Sequence, residues 1–278
     1  MEFPKTLIKR NGYIERIKPF MRKNIAKVLT GQRRVGKSFL LYQLMDQLLV
    51  EEPDANIIYI NFEDFAFSHI QTAEDMHAYI MSKFRKEKYN YIFVDEIQEI
   101  VNFERVIRSL LLNENNDIYI TGSNAKMLSG ELATYLSGRY IEFSVYSLSY
   151  LEFLAFHKLE NNNESLYLYS RYGGLPYLIN LPLKDETVNE YLKSVYSTIV
   201  FRDVVSRYNL RNSSFLEKLV QFLSENIGNL FSAKNISDYL KSQHSTISVN
   251  QIQNYTEYLN NAFLIHRVGR YDLIGKRL

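Results

Sequence analysis

The sequence predicts an α/β protein in which helices cover a parallel sheet. Up to about residue 148, short apolar segments typical of buried strands alternate with longer segments whose apolar residues recur at helical spacing. Such alternation is typical of a parallel sheet with helices on both faces. The predicted strands are 25–30, 57–62, 89–94, 117–121 and 140–145, and the predicted helices between them are 73–87, 103–112 and 128–136.

The stretch at 30–39 reads TGQRRVGKSF and joins the first predicted strand to a predicted helix. Residues 31–38 fit G-x-x-x-x-G-K-[ST], the phosphate-cradling P-loop. The motif needs glycine for tight turns, lysine for the β- and γ-phosphates and a hydroxyl for Mg²⁺. We expect only one of the two loop arginines to contact nucleotide or a neighbouring element. The predicted nucleotide-binding residues are Gly31, Gln32, Arg33, Arg34, Val35, Gly36, Lys37, Ser38 and Phe39.

The third predicted strand ends in two adjacent carboxylates, Asp95 and Glu96. A P-loop site needs an acidic residue at a strand end to hold Mg²⁺, so Asp95 and Ser38 are the predicted metal ligands. Glu96 is placed to polarise a water molecule for attack on the γ-phosphate. This pairing favours hydrolysis over phosphoryl transfer to a small molecule. The alternative is an exposed acidic turn.

Two further residues are candidates for the catalytic set, beside Lys37 and Glu96. Asn124 follows the fourth predicted strand and could sense the γ-phosphate or orient the water, with Ser123 and Thr121 as weaker candidates. Arg139 is a candidate positive charge for the transition state, acting within one chain or on another copy. An ordinary turn and an ordinary ion-paired arginine are the respective alternatives.

The composition limits the possible functions. The chain has 278 residues, no cysteine and a formal net charge of +2. Disulfides, thiolate metal sites and cysteine nucleophiles are therefore excluded, and a cytoplasmic location is expected. No segment has the length of a membrane span. Basic residues crowd both ends and could meet nucleic acid or be solvated surface. They are Lys5, Lys9, Arg10, Arg16, Lys18, Arg22, Lys23 and Lys27 at one end, and Arg267, Arg270, Lys276 and Arg277 at the other.

The pattern along the chain predicts three parts. Residues 1–150 form the nucleotide-binding core, and 151–212 form a helical lid with a predicted helix at 187–208. Residues 213–278 are predicted to form a winged helix, with helices at 215–226, 232–241 and 248–262. Its wing is predicted as a hairpin of 263–268 and 271–274, since both segments are short and largely apolar.

Several motifs together resemble a known family. They are GQRRVGKS, INFED at 60–64, VDEIQE at 94–99, TGSNAKMLSGELATYLSGRY at 121–140 and YGGLPYL at 172–178. The chain resembles the bacterial and archaeal AAA-type P-loop ATPases whose ATPase domain is followed by a DUF4143 region. The resemblance covers nearly the whole chain.

The resemblance implies an ASCE-class P-loop core, ATP or ADP with Mg²⁺ as cofactors, and a winged helix after the helical lid. By position it makes Lys37 and Ser38 the Walker A pair, Asp95 and Glu96 the Walker B pair, Asn124 the sensor and Arg139 the arginine of the family's GRY motif. The family's Pro-Leu-Ser-Phe is Ser-Leu-Ser-Tyr here, at 147–150. Family members usually continue into a nuclease-like region, which we expect to be absent because the sequence stops at Leu278.

The sequence leaves open whether the predicted winged helix binds DNA. The predicted recognition helix at 248–262 carries Asn250, Gln251, Gln253 and Asn254, which could read adenine edges, but it has no lysine or arginine. Phosphate contacts would come from Lys234, Lys241, Arg267, Arg270 and Lys276. A protein partner or an intramolecular role is the alternative. The sequence thus predicts an Mg²⁺-dependent ATPase whose hydrolysis is linked to movement of the winged helix, or else a slow nucleotide switch serving as an interaction module; its oligomeric state is open.

Overall fold

The computed structural model describes residues 7–125, 135–136, 138–230, 232–242 and 247–269. The chain divides into two compact units, Met1–Leu192 and Lys193–Leu278. Within the described ranges no helix combines the length and the apolar character that crossing a membrane requires. The predicted division at residues 150 and 212 stays a prediction.

The first unit contains a five-stranded parallel sheet, as the alternating pattern predicts. Its strands are β1 (Ala26–Thr30), β2 (Asn56–Asn61), β3 (Asn90–Asp95), β4 (Asn116–Gly122) and β5 (Tyr140–Ser144). They lie in the order β2-β3-β4-β1-β5, and every pair is parallel. The strand that carries the glycine-rich loop is therefore separated from the acidic strand β3 by β4 alone.

Helices connect and cover the strands. They are α1 (Asn11–Ile17), α2 (Lys37–Glu51), α3 (Ala73–Ser82), α4 (Phe103–Leu110), α5 (Tyr150–His157), α6 (Asn163–Tyr172) and α7 (Asp185–Thr198). Before β1, α1 ends at Ile17 and the chain continues as a 3₁₀ turn at Lys18–Phe20. Pro19 explains the change, because proline lacks the N–H that an α-helix would need there. The helix predicted at 128–136 lies outside the described residues except for its last two.

The sheet is buried on both faces, and alternate residues of each strand enter different cores. On one face Val28, Ile92 and Ile118 pack with α3 and α4. On the other, Leu29, Phe93 and Tyr119 pack with α1 and α2, and the rings of Phe93 and Tyr119 stack 4.5 Å apart. Burial on both faces explains why the strands are continuous apolar runs in the sequence.

The second unit is helical in its described part. A π-helix at Ile199–Ser206 follows α7, and α8 (Ser213–Glu225), α9 (Ala233–Ser242) and α10 (Val249–Asn261) follow it. These helices bury apolar residues along one side, and α10 begins with a capping box formed by Ser248 and Gln251.

The predicted wing is not confirmed. Residues 263–268 are not a strand, because they fold back on the end of α10. Phe263 has a left-handed φ of +55°, the N–H of Leu264 donates to the Leu259 carbonyl, and the N–H of Arg267 donates to the Asn260 side chain. Groups that a hairpin would pair with another strand are thus used by the helix end. The predicted second strand, 271–274, lies outside the described residues.

Candidate functional site

The register of the sheet brings the ends of four strands together. Thr30, the last residue of β1, pairs with Gly122 of β4, and Asn61 of β2 pairs with Asp95 of β3. All strands point the same way, so the loops that follow them meet at the carboxyl edge of the sheet. Ligands of open α/β sheets bind at this edge.

The glycine-rich loop turns at its two motif glycines. Gly31 has φ +149° and Gly36 has φ +96°, a range that favours glycine. A Cβ atom on Gly31 would lie 2.1 Å from the Val145 carbonyl oxygen, so no larger residue fits there. The loop leads directly into α2, which begins at Lys37. Its N–H groups and the start of α2 therefore form one site with the properties of an anion cradle.

Lys37 folds back over the loop that precedes it. Its buried ammonium donates hydrogen bonds to the carbonyls of Gly31, at 3.1 Å, and of Gln32, at 3.0 Å. The same nitrogen lies 3.7 Å from a carboxylate oxygen of Glu96. The structure thus brings together the loop lysine and the acidic end of β3, which are 59 residues apart in the sequence.

Asp95 is buried and is held by three hydroxyl groups. Thr121 of β4 donates to one carboxylate oxygen, Tyr59 donates to the other at 3.5 Å, and Ser38 also hydrogen-bonds the carboxylate. Burial raises the pKa of Asp95 above its ordinary value, although the bonds from Ser38 and Thr121 act in the opposite direction. The two predicted metal ligands, Ser38 and Asp95, are therefore in direct contact.

Glu96 adopts a left-handed backbone conformation, with φ +55°, directly after β3. Its N–H donates to the Thr121 hydroxyl at 3.0 Å, and its carboxylate accepts a hydrogen bond from Gln98. Burial acts to raise the pKa of Glu96, but the charge of Lys37 and the bond from Gln98 outweigh this effect and lower it. The carboxylate is therefore ionised at neutral pH although it is buried, and the alternative of an exposed acidic turn does not apply to Glu96.

The two arginines of the loop have different surroundings. Arg33 is buried, lies 3.1 Å from the Glu63 carboxylate, and contributes to the lowered pKa of Glu96. Arg34 is exposed and has a left-handed φ of +67°. Phe39 is 47% exposed, and its ring meets the ring of Tyr42 edge-on. Arg33 is thus the arginine that faces the acidic residues of the site.

Asn124 and Arg139 lie at opposite edges of the sheet. Asn124 is buried and lies two residues after β4, at the carboxyl edge of the sheet. Arg139 precedes β5, and its carbonyl accepts a hydrogen bond from the N–H of Ala26, the first residue of β1. The loop begins after the other end of β1, about 13 Å farther along the strand. Asn124 therefore lies at the same edge of the sheet as the loop, whereas the main chain of Arg139 lies at the opposite edge.

Three residues of the site were not assigned a role, or only a weaker one, from the sequence. Gln98 binds Glu96 and also donates to the Ser123 hydroxyl at 3.3 Å. Thr121, a weaker sensor candidate, links Asp95 to the main chain of Glu96. Arg10 contacts the glycine-rich loop from the N-terminal segment. The first two lie within sequence motifs, but Arg10 is one of several basic residues and carries no distinguishing signal.

The basic N-terminus does not form one exposed patch. Arg10 is 4% exposed and Lys27 is fully buried, and each is ion-paired, with Glu152 and Asp117 respectively. The prediction that these two residues belong to a solvated or nucleic-acid-binding surface is therefore wrong. A charged residue is buried in this way only when a partner compensates its desolvation.

The residues present fit a nucleotide with Mg²⁺. A hydroxyl and one carboxylate, Ser38 and Asp95, lie side by side next to the anion cradle. Mg²⁺ in such sites is held by one or two carboxylates together with phosphate oxygens and water. Within the ranges that the structure describes, no group of three or more His, Cys, Asp or Glu is arranged to hold a metal ion.

Comparison with family models divides the chain in two. Residues 23–154 match the AAA_14 family, described as an AAA domain. Residues 163–278 match DUF8612, a domain of unknown function, where the motif resemblance implied DUF4143.

Comparison with individual proteins finds uncharacterized relatives. An uncharacterized protein of Haemophilus influenzae is 36% identical over 279 residues, which cover 98% of this chain and 69% of that protein. Uncharacterized protein MJ1544 of Methanocaldococcus jannaschii is 31% identical over 92% of this chain, which spans only 59% of MJ1544. Among solved structures, the ORC1 protein of Aeropyrum pernix in complex with DNA has a TM-score of 0.44 and 12% identity, covering 93% of this chain and 85% of that one.

Proposed function

We propose that this chain, whose residues 23–154 match the AAA_14 family, binds ATP with Mg²⁺ and hydrolyses it at the carboxyl edge of the sheet. The observation that carries the proposal is the convergence of Lys37, Ser38, Asp95 and Glu96 from two separate parts of the chain. Each group is of the chemical type that phosphate binding, Mg²⁺ binding or water activation needs.

The proposed roles follow from the contacts. Lys37 and the loop N–H groups bind the phosphates, and Ser38 and Asp95 hold Mg²⁺. Glu96 orients the attacking water and accepts hydrogen bonds as an ionised carboxylate, which its lowered pKa supports. Asn124, at the same edge of the sheet, senses the γ-phosphate or orients the water. Arg33 adds positive charge on the side of Glu63.

A slow nucleotide switch is the second candidate function, because the Glu96 carboxylate is already in contact with other side chains. Its carboxylate contacts Lys37 and accepts a hydrogen bond from Gln98. While these contacts persist, the carboxylate is not free to orient water. A protein of this kind would retain its nucleotide, turn over slowly and act as a regulated interaction module.

Phosphate release by the wild type and by Glu96→Gln, with and without Mg²⁺, tests the proposal. Glu99→Gln is the matched control, because Glu99 is an exposed carboxylate three residues further on. We expect Mg²⁺-dependent release that is lost in Glu96→Gln and kept in Glu99→Gln. Tight ATP binding without release would favour the switch, and no binding by the wild type would contradict both.

For the second unit we propose DNA as the partner, through α10. Asn250, Gln253 and Asn254 are exposed on this helix, and such side chains can pair with adenine. Gln251 does not contribute, since its carboxamide accepts a hydrogen bond from the Ser248 N–H at 3.1 Å. Exposed Lys234 and Arg267 supply positive charge for phosphates.

The salt dependence of duplex DNA binding tests this partner. If Lys234 and Arg267 both contact phosphates, replacing them with glutamine lowers the slope of log affinity against log salt by about 2. Absence of DNA binding by the wild type at low salt would leave a protein partner as the occupant of this surface.

A further inference from the structure

Arg10 lies outside the P-loop and the strands, and its side chain hydrogen-bonds the phosphate-binding loop. It lies one residue before α1 and is 4% exposed. A buried guanidinium is costly unless acceptors surround it. The groups that the Arg10 guanidinium contacts therefore indicate which parts of the structure it positions.

All five N–H donors of the Arg10 guanidinium have an acceptor. Nε and Nη2 bind the two carboxylate oxygens of Glu152 at 2.8 and 3.0 Å. Nη1 donates to the carbonyls of Val35, at 3.1 Å, and of Tyr146, at 3.0 Å, and Nη2 donates to the Ser147 carbonyl at 3.4 Å. The planar, forked guanidinium is the side chain that can meet acceptors in this arrangement.

The contact with Val35 places this network on the phosphate-binding loop itself. Val35 lies between the two motif glycines and directly precedes Gly36. An anion cradle needs loop N–H groups to face the ligand, so the intervening carbonyls must point away from it. A hydrogen bond from Arg10 holds one such carbonyl on the outer side of the loop.

The main chain of Arg10 is also attached to the helix that follows the loop. Its N–H donates to the Gln43 side chain at 3.0 Å, and the Gln43 carboxamide donates to the Ile8 carbonyl at 2.8 Å. Because Gln43 lies on α2, the N-terminal segment is fixed to the same helix that begins with Lys37.

We propose that Arg10 is a positioning residue of the nucleotide site: it fixes the outward orientation of the Val35 carbonyl and is itself oriented by Glu152. The inference rests on the proposed function, because it assigns a residue to the same site. Arg10 joins the loop to α5, the first helix after the sheet, so the loop geometry depends on a contact between residues 142 positions apart.

The affinities of ADP and ATP for the full chain, measured by calorimetry with Mg²⁺ present, test the proposal. In Arg10→Met the donors are lost while an unbranched apolar side chain remains. We expect affinity for both nucleotides to fall about tenfold to a hundredfold, the size of effect that misplacement of binding groups produces. Arg10→Lys has three donors in another geometry and is not expected to restore affinity.

Arg22→Met is the matched control for a purely structural effect. Arg22 donates to the Tyr91 hydroxyl at 2.8 Å and to Glu52 at 3.3 Å, before β1 and therefore at the opposite edge of the sheet. We expect this variant to lower the unfolding temperature without lowering nucleotide affinity. Equal loss of affinity in Arg22→Met and Arg10→Met would overturn the proposal, as would full affinity in a folded Arg10→Met.

Glu152→Gln keeps the proposal testable if Arg10→Met does not fold. Glutamine can replace glutamate in the capping box of α5, so the helix start is preserved. We expect a smaller loss of affinity than in Arg10→Met, and unchanged affinity would contradict the role of Glu152. Failure of the wild type to bind nucleotide is a different result, which would remove the proposed function itself.

Discussion

The ammonium of Lys37 lies 3.7 Å from a carboxylate oxygen of Glu96, and both side chains are buried. Removing one partner of a buried ion pair leaves an uncompensated charge, at a cost of about 3–5 kcal/mol. Lys37→Met leaves the Glu96 carboxylate without its partner, and Glu96→Gln leaves the Lys37 ammonium without its partner, so we expect the double variant to be destabilised by less than the sum of the two single changes. Urea unfolding of both variants and of the double variant measures the coupling. Strictly additive effects would show that the pair does not interact.

Thr121→Val tests the link between β4 and the two acidic residues. The change removes the hydroxyl that donates to Asp95 and accepts from the Glu96 N–H, with little change of shape. We expect a loss of about 1–3 kcal/mol in unfolding free energy, the cost of unpaired buried polar groups. Phosphate release should fall more than nucleotide affinity does. Thr121→Ser retains the hydroxyl and should remain active; equal activity of the two variants would contradict this role.

Gly31→Ala should abolish nucleotide binding. Its Cβ would lie 2.1 Å from the Val145 carbonyl oxygen, and the φ of +149° is unfavourable for alanine. The loop must therefore move. Gly12→Ala is the control, because no atom lies within 4 Å of the new Cβ in α1, and the change should stabilise the helix by about 0.5–1 kcal/mol. Thermal unfolding and nucleotide binding distinguish the two, and wild-type affinity in Gly31→Ala would refute the expectation.

The Arg10–Glu152 pair should make stability depend on pH in the acidic range. Burial acts to raise the pKa of Glu152, but hydrogen bonds from Arg10 and the Ser149 N–H outweigh it and hold the pKa below its ordinary value of 4.5. The unfolded chain therefore binds this proton at higher pH than the folded chain. The contribution of the ion pair to the free energy of unfolding is complete above about pH 4.5, and it is lost as the pH falls through the pKa of Glu152 in the folded state. The difference in unfolding free energy between the wild type and Glu152→Gln should shrink over this range; a constant difference would argue against the pair.

Arg139 should act on hydrolysis only through another copy of the chain. Its main chain lies beside Ala26, and β1 separates it from the loop by about 13 Å, farther than its side chain extends. We expect Arg139→Ala to bind nucleotide like the wild type but to turn over slowly. Mixing it with Glu96→Gln should restore part of the phosphate release. In a mixed assembly the Arg139→Ala copy supplies the Glu96 carboxylate, and the Glu96→Gln copy supplies the Arg139 guanidinium. Wild-type turnover by Arg139→Ala alone would exclude any role.

Local patterns were sufficient to predict the strands and the chemical groups of the candidate site. The strands are apolar runs because both faces of the sheet are buried, and the loop motif between β1 and α2 is contiguous in sequence. Neither inference needed knowledge of distant contacts. Lys37, Ser38, Asp95 and Glu96 could be expected to meet because parallel strands end at a common edge.

Long-range contacts limited the remaining predictions. Arg10 and Lys27 are of residue types usually found at the surface, yet each is buried against a carboxylate 90 or more positions away. The predicted wing strand at 263–268 has a suitable composition, but the N–H groups of Phe263 and Leu264 donate to carbonyls at the end of α10. The composition of a segment limits which structures it can form, whereas its long-range contacts determine which of these it adopts.

By itself, the sequence determined the parallel α/β core, the phosphate loop and the acidic strand end, since these depend on the periodicity and spacing of neighbouring residues. Only the tertiary structure decided that Thr121 links Asp95 to Glu96, that Arg10 holds the Val35 carbonyl, and that Arg139 lies at the far edge of the sheet. The physical reason is that hydrogen bonds and ion pairs act over a few ångströms, and the residues within that distance are set by the path of the whole chain.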